Sequence, residues 1–280
     1  MAALRDTVTL TPQKESQATR AARRLRSLVL WLELIRNLAV RDVEVRYKHS
    51  LLGLYWAILN PLITAGIYGF VFGVIFHASS GSIPYVVFLL TGLTFWNLFA
   101  NGLASATGCV TGNASMLAKI YFPRVVLPTA SVLARFIDFM FSLFVLLVFI
   151  LLYRVPVHWA ALWIFPLLGL QVAFTLGIAY LFAAMNVLYR DMTQLVGLVL
   201  MVWLYLSPVM YAASSLSSTM QGLLLMNPMG GMLQAERDLL FVGHLTQAPF
   251  LWSAAAWAGL AFTGGLAVFK RIEPLFAEVM

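Results

Sequence analysis

The sequence predicts an all-α integral membrane protein with six transmembrane helices. Hydrophobic residues make up 61% of its 280 residues and charged residues 10%, whereas soluble domains average about 45–50% and 25%. Six stretches are also long enough to cross a hydrocarbon layer about 30 Å thick, which takes roughly 20 apolar residues in a helix. We place these spans near residues 51–76, 85–110, 128–153, 160–185, 193–212 and 250–269.

The chain before the first span divides into two parts. Residues 1–27 are polar and basic without an apolar core, so we expect a flexible tail and no cleaved secretory signal. Residues 28–50 favour an amphipathic interface helix that lies on the membrane surface and continues without a linker into the first span. Residues 51–280 then form the transmembrane domain.

The distribution of Lys and Arg predicts the orientation. Ten of these residues lie in 1–50, two in the loop 113–124, one in 186–192 and two after residue 269, whereas the opposite side has only Arg154 and Arg237. The positive-inside rule therefore predicts that both termini and the two loops are cytoplasmic. These basic residues lie beside spans and not on a separate domain, so we do not expect nucleic-acid binding.

Catalytic motifs are missing from the sequence. No lysine follows a glycine, so the chain has no phosphate-cradling P-loop. We find no nucleophile motif and no His/Cys cluster with metal-ligand spacing, and the single cysteine, Cys109, favours a buried thiol. We therefore expect neither an enzyme nor a bound metal or cofactor.

Two ionisable residues, Arg135 and Asp138, fall inside a predicted span. Their spacing of three residues puts them on one helix face, where they can form an ion pair. They are either a structural pair near the cytoplasmic edge or part of substrate entry or gating. A proton-coupled transporter is a poor alternative, because it would be expected to have more buried carboxylates.

Aromatic residues follow the faces of two spans. Tyr68, Phe72 and Phe76 recur every four residues on the first span, and Trp203 and Met210 are seven apart on the fifth. Such faces either pack against helices and lipid or form a channel wall along which sugar rings slide. Prolines 61 and 208 are expected to bend these two spans.

The cytoplasmic segment 113–121 favours a short exposed helix that docks on a partner. Asn113 or Ser115 can cap it, Met116 and Leu117 supply an apolar pair, and Lys119 adds a positive charge. The alternative is a solvated turn.

The segment 213–249 is too long for a simple turn. It contains Asn227-Pro228 and the charged triplet Glu236-Arg237-Asp238. Half-inserted helices that form a lid at the outer face would account for it, and an ordinary surface loop is the alternative.

Several motifs in order carry a family resemblance from about residue 30 to the C-terminus. They are RDVEVRYKHSLLGLYWAILNPL from residue 41, KIYFPRVVLP, MNVLYRD, YLSPVMY, MNP, AERDLL and FKRIEPLFAE. With them the chain resembles the permease subunit of ABC-2 polysaccharide exporters, which export lipid-linked O-antigen, teichoic acid or capsule. One departure is Ala212, where relatives often have proline.

The resemblance implies a homodimer that works with two copies of a separate ATPase, and that partner would bind ATP and Mg. It implies contact with the ATPase through the surface helix and the 113–121 helix, for which the candidates are Arg36, Asp42, Asn113, Ser115, Met116, Leu117 and Lys119. It implies a sugar conduit along the first and fifth spans, with the candidates Tyr55, Trp56, Tyr68, Phe72, Phe76, Trp203, Tyr205, Met210 and Tyr211. It also implies gate helices before the last span, with Asn227, Pro228, Glu236, Arg237 and Asp238.

A lipid-linked glycan carries a phosphate and lies in the membrane among other lipids. Its export would therefore also require an entrance that attracts this phosphate. The candidates are Arg41, Arg46, Lys48, Arg124, Arg135 and Asp138. The substrate is expected to be an O-antigen type polysaccharide. The alternatives are an ABC-2 exporter of capsule, drug or lipid, and a membrane protein of envelope synthesis without a transport role.

Overall fold

The described part of the chain is all-α, with helices joined by turns and short loops and no strand among the described residues. The computed structural model describes residues 17–48, 53, 55–77, 83–119, 122–224 and 226–276, and the parts of the predicted segments that fall on 1–16, 49–52, 54, 78–82, 120–121, 225 and 277–280 lie outside these ranges. The helices are α1 (Gln17–Tyr47), α2 (Tyr55–Tyr68), α3 (Tyr85–Thr107), α4 (Cys109–Gly112), α5 (Ala114–Leu117), α6 (Val126–Leu152), α7 (Ile164–Leu188), α8 (Met192–Leu206), α9 (Ser218–Leu224), α10 (Pro228–Arg237) and α11 (Ala248–Ile272).

Five helical segments of the described chain are long and apolar enough to cross a membrane, which confirms a multi-pass membrane fold. They are Tyr55–Ile75, Tyr85–Thr107, Val126–Leu152, Trp159–Leu188 and Ala248–Leu275. They correspond to the first four predicted spans and the last one. The prediction at 193–212 corresponds to α8, which has only 15 residues. At 1.5 Å per residue this helix is about 22 Å long, shorter than the hydrocarbon layer.

The end of α8 differs from the bend that the sequence predicts. Ser207 adopts an extended conformation, with a ψ of 145°, because the ring of Pro208 disfavours a helical conformation in the residue before it. The proline therefore ends the helix and does not bend it. Met210 lies beyond this end, so it does not share a helix face with Trp203. Pro61, in contrast, lies inside α2, which continues into a π-helical segment from Gly69 to Ile75.

Three predicted intervals contain helices whose bounds differ from those intervals. Helix α1 begins at Gln17, inside the interval 1–27 for which the sequence predicts a flexible tail. The interval 113–121 contains the four-residue helix α5. The interval 213–249 contains α9, α10 and a π-helical segment, Asp238–Val242, that ends at Gly243 with a left-handed φ of 84°.

Helix α3 forms the centre of the core. Most of its side chains are buried, and it packs against α6 and α7 and also contacts α8. Phe99 of α3 stacks on Phe174 of α7 at a ring distance of 5.6 Å, and Trp203 of α8 meets Phe99 edge-on at 5.1 Å. These contacts hold α8 against the core.

Helices α7 and α11 approach closely at two glycines. A Cβ atom at Gly177 would meet the backbone of Ala261, and one at Gly265 would meet the carbonyl oxygen of Gly177. Small residues permit this backbone approach, which is a common means of packing helices in membranes.

We predict that Gly265→Ala destabilises the protein by about 1–3 kcal/mol, because the added methyl group has no space between α7 and α11. Gly264→Ala is a matched control, since a Cβ atom at Gly264 meets nothing within 4 Å and alanine favours a helix. Thermal unfolding in detergent compares the two variants. Equal Tm values would contradict the close packing.

Candidate functional site

The carboxylate of Asp138 joins the end of α1 to α6. Arg46 Nη1 of α1 donates to Asp138 Oδ2 at 2.7 Å, and Arg135 Nη1 of α6 donates to the same oxygen at 3.3 Å. The hydroxyl of Tyr47 donates to Asp138 Oδ1. Burial, together with this bond to a carboxylate, raises the pKa of Tyr47 to about 12. We call these four side chains the Asp138 hub.

The Asp138 hub lines a cavity of about 390 Å³, here called the polar cavity. Its walls come from the end of α1, the start of α2, and the middles of α3 and α6. Arg46 and Arg135 outnumber Asp138, so the charged side chains of the lining have a net charge of +1. Three of the predicted entrance residues therefore meet at one site.

Several polar residues of this site are not among those predicted from the sequence. Tyr47 binds Asp138, and Thr94, Asn97 and Asn101 line the polar cavity from α3. Their positions differ by three, four and seven residues, which places them on one helix face. A polar stripe of this period inside an apolar span was the signal that could have identified them.

Arg41 lies outside the polar cavity, and its contacts are made elsewhere. Its guanidinium donates to Asn113 Oδ1 at 2.8 Å, contacts the sulfur of Met116 at 3.5 Å, and pairs with Asp42 at 3.0 Å. Ser131 of α6 donates to the other oxygen of Asp42 at 3.3 Å. These contacts form a junction between α1, the α5 segment and α6, which we call the α1–α5 junction.

The α5 residues divide between this junction and the surface. Asn113 occupies the N-cap position but makes no cap hydrogen bond; its amide instead donates to the carbonyl of Cys109 at 2.8 Å. Met116 and Leu117 are half-buried against the chain's own core. Ser115 and Lys119 are exposed. Only part of the predicted docking surface is therefore free within this chain.

The remaining predicted basic residues are separate from the polar cavity. The guanidinium of Arg124 donates to the carbonyl of Glu273 at 2.6 Å and lies over the ring of Phe276 at 5.5 Å. Arg124 thus binds the segment after α11 and is not a free cation at an entrance. Arg36 and Lys48 are exposed on α1 and just after it.

Five predicted conduit aromatics lie on α2, on the π-helical segment after it or, in the case of Phe76, directly after that segment. Tyr68 and Phe72 lie 6.2 Å apart, and Phe72 and Phe76 lie 5.7 Å apart, so these rings form a continuous stripe. Phe76 is 68% exposed, and Tyr55 and Trp56 are exposed at the start of α2. Tyr68 and Phe72, in contrast, are half-buried against the core of the chain, so the stripe is exposed only at its Phe76 end.

The predicted aromatics of the fifth span have different environments. Tyr205 is 55% exposed, and the hydroxyl of the half-buried Tyr211 donates to its carbonyl at 3.4 Å. Met210 is buried in the core, and its carbonyl accepts a bond from Tyr85 at 2.8 Å. Met210 therefore does not line an open wall within this chain.

Asn227 connects the end of α8 to the start of α10. Its Oδ1 accepts hydrogen bonds from Trp203 Nε1 at 2.9 Å and from the backbone N–H of Gly230 at 3.1 Å, so it caps α10. Its Nδ2 donates to Ser207 Oγ at 3.0 Å. Pro228 follows at the first position of α10, where proline is favoured.

The charged triplet is buried, which excludes an ordinary surface loop at this point. Arg237 donates to the carbonyls of Pro208, Val209 (2.7 Å) and Phe88 (3.2 Å), and it lies 3.6 Å from the ring centroid of Phe88. Arg237 is therefore not the exposed loop charge that the count of Lys and Arg assumes. It holds the backbone that Pro208 releases from α8.

The two carboxylates of the triplet differ in their partners. Asp238 accepts bonds from Gln234 at 2.9 Å and from the backbone and hydroxyl of Thr246 at 2.7 and 2.5 Å. Neither oxygen of the fully buried Glu236 has a hydrogen-bond partner among the described residues. Asp238 thus anchors the π-helical segment, whereas Glu236 has only the neighbouring charge of Arg237.

Comparison with known proteins places this arrangement in a family. The model of the ABC-2 type transporter family matches residues 33–241, from α1 to the π-helical segment after α10. The O-antigen export system permease protein RfbA of Klebsiella pneumoniae is 32% identical over 243 residues, which cover 86% of this chain and 92% of that protein.

Two further relatives extend the comparison. The O-antigen export system permease protein RfbA of Myxococcus xanthus is 29% identical over 259 residues, which cover 91% of this chain and 98% of that protein. The polysialic acid transport protein KpsM of Escherichia coli is 24% identical over 252 residues, which cover 85% and 93%. These matches confirm the resemblance that the sequence motifs indicate, and the chain belongs to the ABC-2 type transporter family.

Proposed function

We propose that this chain is the transmembrane subunit of an ATP-driven exporter that moves a lipid-linked polysaccharide of O-antigen type out across the bacterial inner membrane. The names of the relatives support a polysaccharide substrate. One observation supports the mechanical role: the α1–α5 junction and the Asp138 hub fasten α1 to α6 at two separate points. A force applied to α1 and α5 would therefore reach a span directly.

The energy source in this scheme is a separate ATPase, bound as two copies to a homodimer of this chain. The exposed side chains of α1 and α5, which include Arg36 and Lys119, would contact it. ATP binding would move the ATPase subunits, and the α1–α5 junction would pass that motion to the transmembrane helices. The Lys and Arg distribution supports cytoplasmic termini, which puts α1 and α5 on the side of ATP.

The sixth crossing would be made by α8 together with the chain after it. Helix α8 is too short to span alone, but Pro208 and Val209 continue inside the protein, with their carbonyls bound by Arg237. Backbone of this kind is tolerated at membrane depth when protein covers its polar groups.

The conduit would run between the two copies of the chain, along α2 and α8. Phe76 and Tyr205 are exposed aromatics of these helices, and aromatic faces would bind sugar rings weakly enough to let them pass. Helices α9 and α10 would form a gate at the outer end. In that gate, Asn227 and Arg237 attach α10 firmly to the rest of the chain, so α9 is the part freer to move.

A capsule polysaccharide is the second candidate substrate, because the polysialic acid transport protein is also a relative. Its identity of 24% is lower than the 32% of the O-antigen permease, and we therefore favour an O-antigen type substrate. A drug or lipid exporter and a non-transport envelope protein are the remaining alternatives, and the deletion experiment described next would detect them.

We expect deletion of the gene to remove an O-antigen type glycan from the cell surface while its lipid-linked form accumulates inside. Restoration should require both this chain and a P-loop ATPase that co-purifies with it. Analysis of surface and intracellular glycans measures the outcome. Normal surface glycans would contradict polysaccharide export, and restoration without an ATPase would contradict the energy source.

Docking on the ATPase is tested by charge reversal. Lys119→Glu should weaken co-purification of the ATPase, because Lys119 is exposed next to α5. Lys270→Glu is a matched control, since Lys270 is also exposed but lies at the end of α11. Equal recovery of the ATPase with both variants would exclude docking at α5.

The aromatic wall is tested on exposed rings, because Trp203 also holds Asn227 and its removal would disturb the fold. Phe76→Ala and Tyr205→Ala should each lower export by about two- to tenfold, since aromatic ring contacts contribute ~0.5–1.5 kcal/mol each. Trp252→Ala should leave export unchanged, because this 74% exposed ring lies on α11, away from both walls. If both wall variants form a normal complex with the ATPase and export is unchanged, the conduit does not run along these faces of α2 and α8.

A further inference from the structure

The polar cavity contains unsatisfied hydrogen-bonding groups in addition to the Asp138 hub. In the described chain, the side-chain amides of Asn60, Asn97 and Asn101 all line the cavity and have no hydrogen-bond partner. Thr94 is 2% exposed, and its hydroxyl is also unpartnered. Thr94 is thus buried, whereas Asn97 is half-buried and Asn60 and Asn101 are exposed within this chain. A buried polar group costs free energy unless something binds it, and polar residues inside a membrane span normally mark a functional site.

The chemistry of the lining has two parts. On one side, Arg46 and Arg135 give a net positive charge, and Arg135 Nε is a buried donor without a partner among the described residues. On the other side, amides supply both donors and acceptors, which suits the hydroxyl groups of a sugar. Trp56, 46% exposed, adds an apolar ring face beside them.

On the basis of the transport function above, we propose that the polar cavity binds a glycosyl phosphate, namely the sugar residue that is joined to the phosphate of the lipid-linked substrate. The two guanidinium groups hold the phosphate, and Thr94, Asn97 and Asn101 bind the hydroxyls of the sugar. The volume of about 390 Å³ falls within the range of about 300–1,000 Å³ that is typical of small-molecule sites.

In this arrangement α3 is the helix that determines which phosphate-bearing ligand the polar cavity prefers. The same phosphate chemistry could also come from a membrane phospholipid, whose headgroup carries a glycerol phosphate and no sugar ring. The amide groups distinguish the two sources, because a site built to bind hydroxyls loses affinity when its polar groups stay unpaired.

The test measures binding of soluble probes to the purified complex with its ATPase. The probes are glucose 1-phosphate, N-acetylglucosamine 1-phosphate, glycerol 3-phosphate and inorganic phosphate. At least one of the two hexose phosphates should bind more tightly than glycerol 3-phosphate and inorganic phosphate. Failure of both hexose phosphates to bind would overturn the sugar site, and equal binding of glycerol 3-phosphate would reduce it to an anion site for lipid headgroups.

The variants separate binding from folding. Thr94→Val and Asn97→Leu should each weaken hexose phosphate binding about fivefold, which is the effect of one hydrogen bond of about 1 kcal/mol, and should leave phosphate binding unchanged. Thr94→Val should not lower Tm, because its hydroxyl has no partner to lose. Thr263→Val is the matched control, since the exposed hydroxyl of Thr263 bonds only within α11.

Unchanged hexose phosphate binding in both cavity variants would overturn the site. That result is distinct from failure of the transport function, which the surface glycans of the deletion strain report. Normal surface glycans, together with hexose phosphate binding that the cavity variants weaken, would support the sugar site and contradict polysaccharide export. Lost surface glycans without cavity-dependent binding would retain export and reject the site.

Discussion

The carboxylate of Asp138 accepts hydrogen bonds from side chains of two different helices, and the position of α1 depends on it. A partly buried carboxylate is costly unless its charge is compensated. Here Arg135 compensates it from the same helix, while Arg46 and Tyr47 compensate it from α1. The last turn of α1 is thereby fastened to the middle of α6, directly before the chain enters α2. This contact gives α1 a defined position relative to the spans and closes one wall of the polar cavity.

A second constraint shapes the opposite region of the protein. Pro208 ends α8 and leaves carbonyl groups without helical partners inside the protein, where they need hydrogen bonds. Arg237 donates to two of them, and Asn227 donates to the carbonyl of Leu206. Both donors belong to the α10 region, so one break in a helix determines where α10 packs. Helix α8, which would line the proposed conduit, and α10 of the proposed gate are therefore parts of one hydrogen-bonded unit.

Local properties of the sequence predicted part of this structure. Span length and hydropathy are local, and five predicted spans coincide with long apolar helices. The spacing of Arg135 and Asp138 is local too, and these residues form an ion pair. The spacing of Thr94, Asn97 and Asn101 is local as well and predicts a shared helix face, but these residues are not among the sequence predictions.

The remaining features depend on partners that are distant along the chain. Arg41 binds Asn113, 72 residues away, and Arg124 binds Glu273, 149 residues away. Both are predicted entrance residues because a basic side chain can attract a phosphate, and sequence alone does not reveal which basic side chains bind acceptors within the protein. The end of α8 also depends on a partner that is distant along the chain. Proline can either bend a helix or end it, and α8 can end at Pro208 because Arg237 binds the carbonyl groups there.

The central claim is that motion of the ATPase reaches the spans through the contact between α1 and α6. The most direct measurement is the number of ATP molecules hydrolysed per glycan exported by the reconstituted complex with Asp138→Asn. This change keeps the shape of the side chain but removes the charge that attracts Arg46 and Arg135. We predict an intact complex that continues to hydrolyse ATP but consumes several-fold more ATP per glycan. An unchanged ratio in an intact complex would contradict the claim.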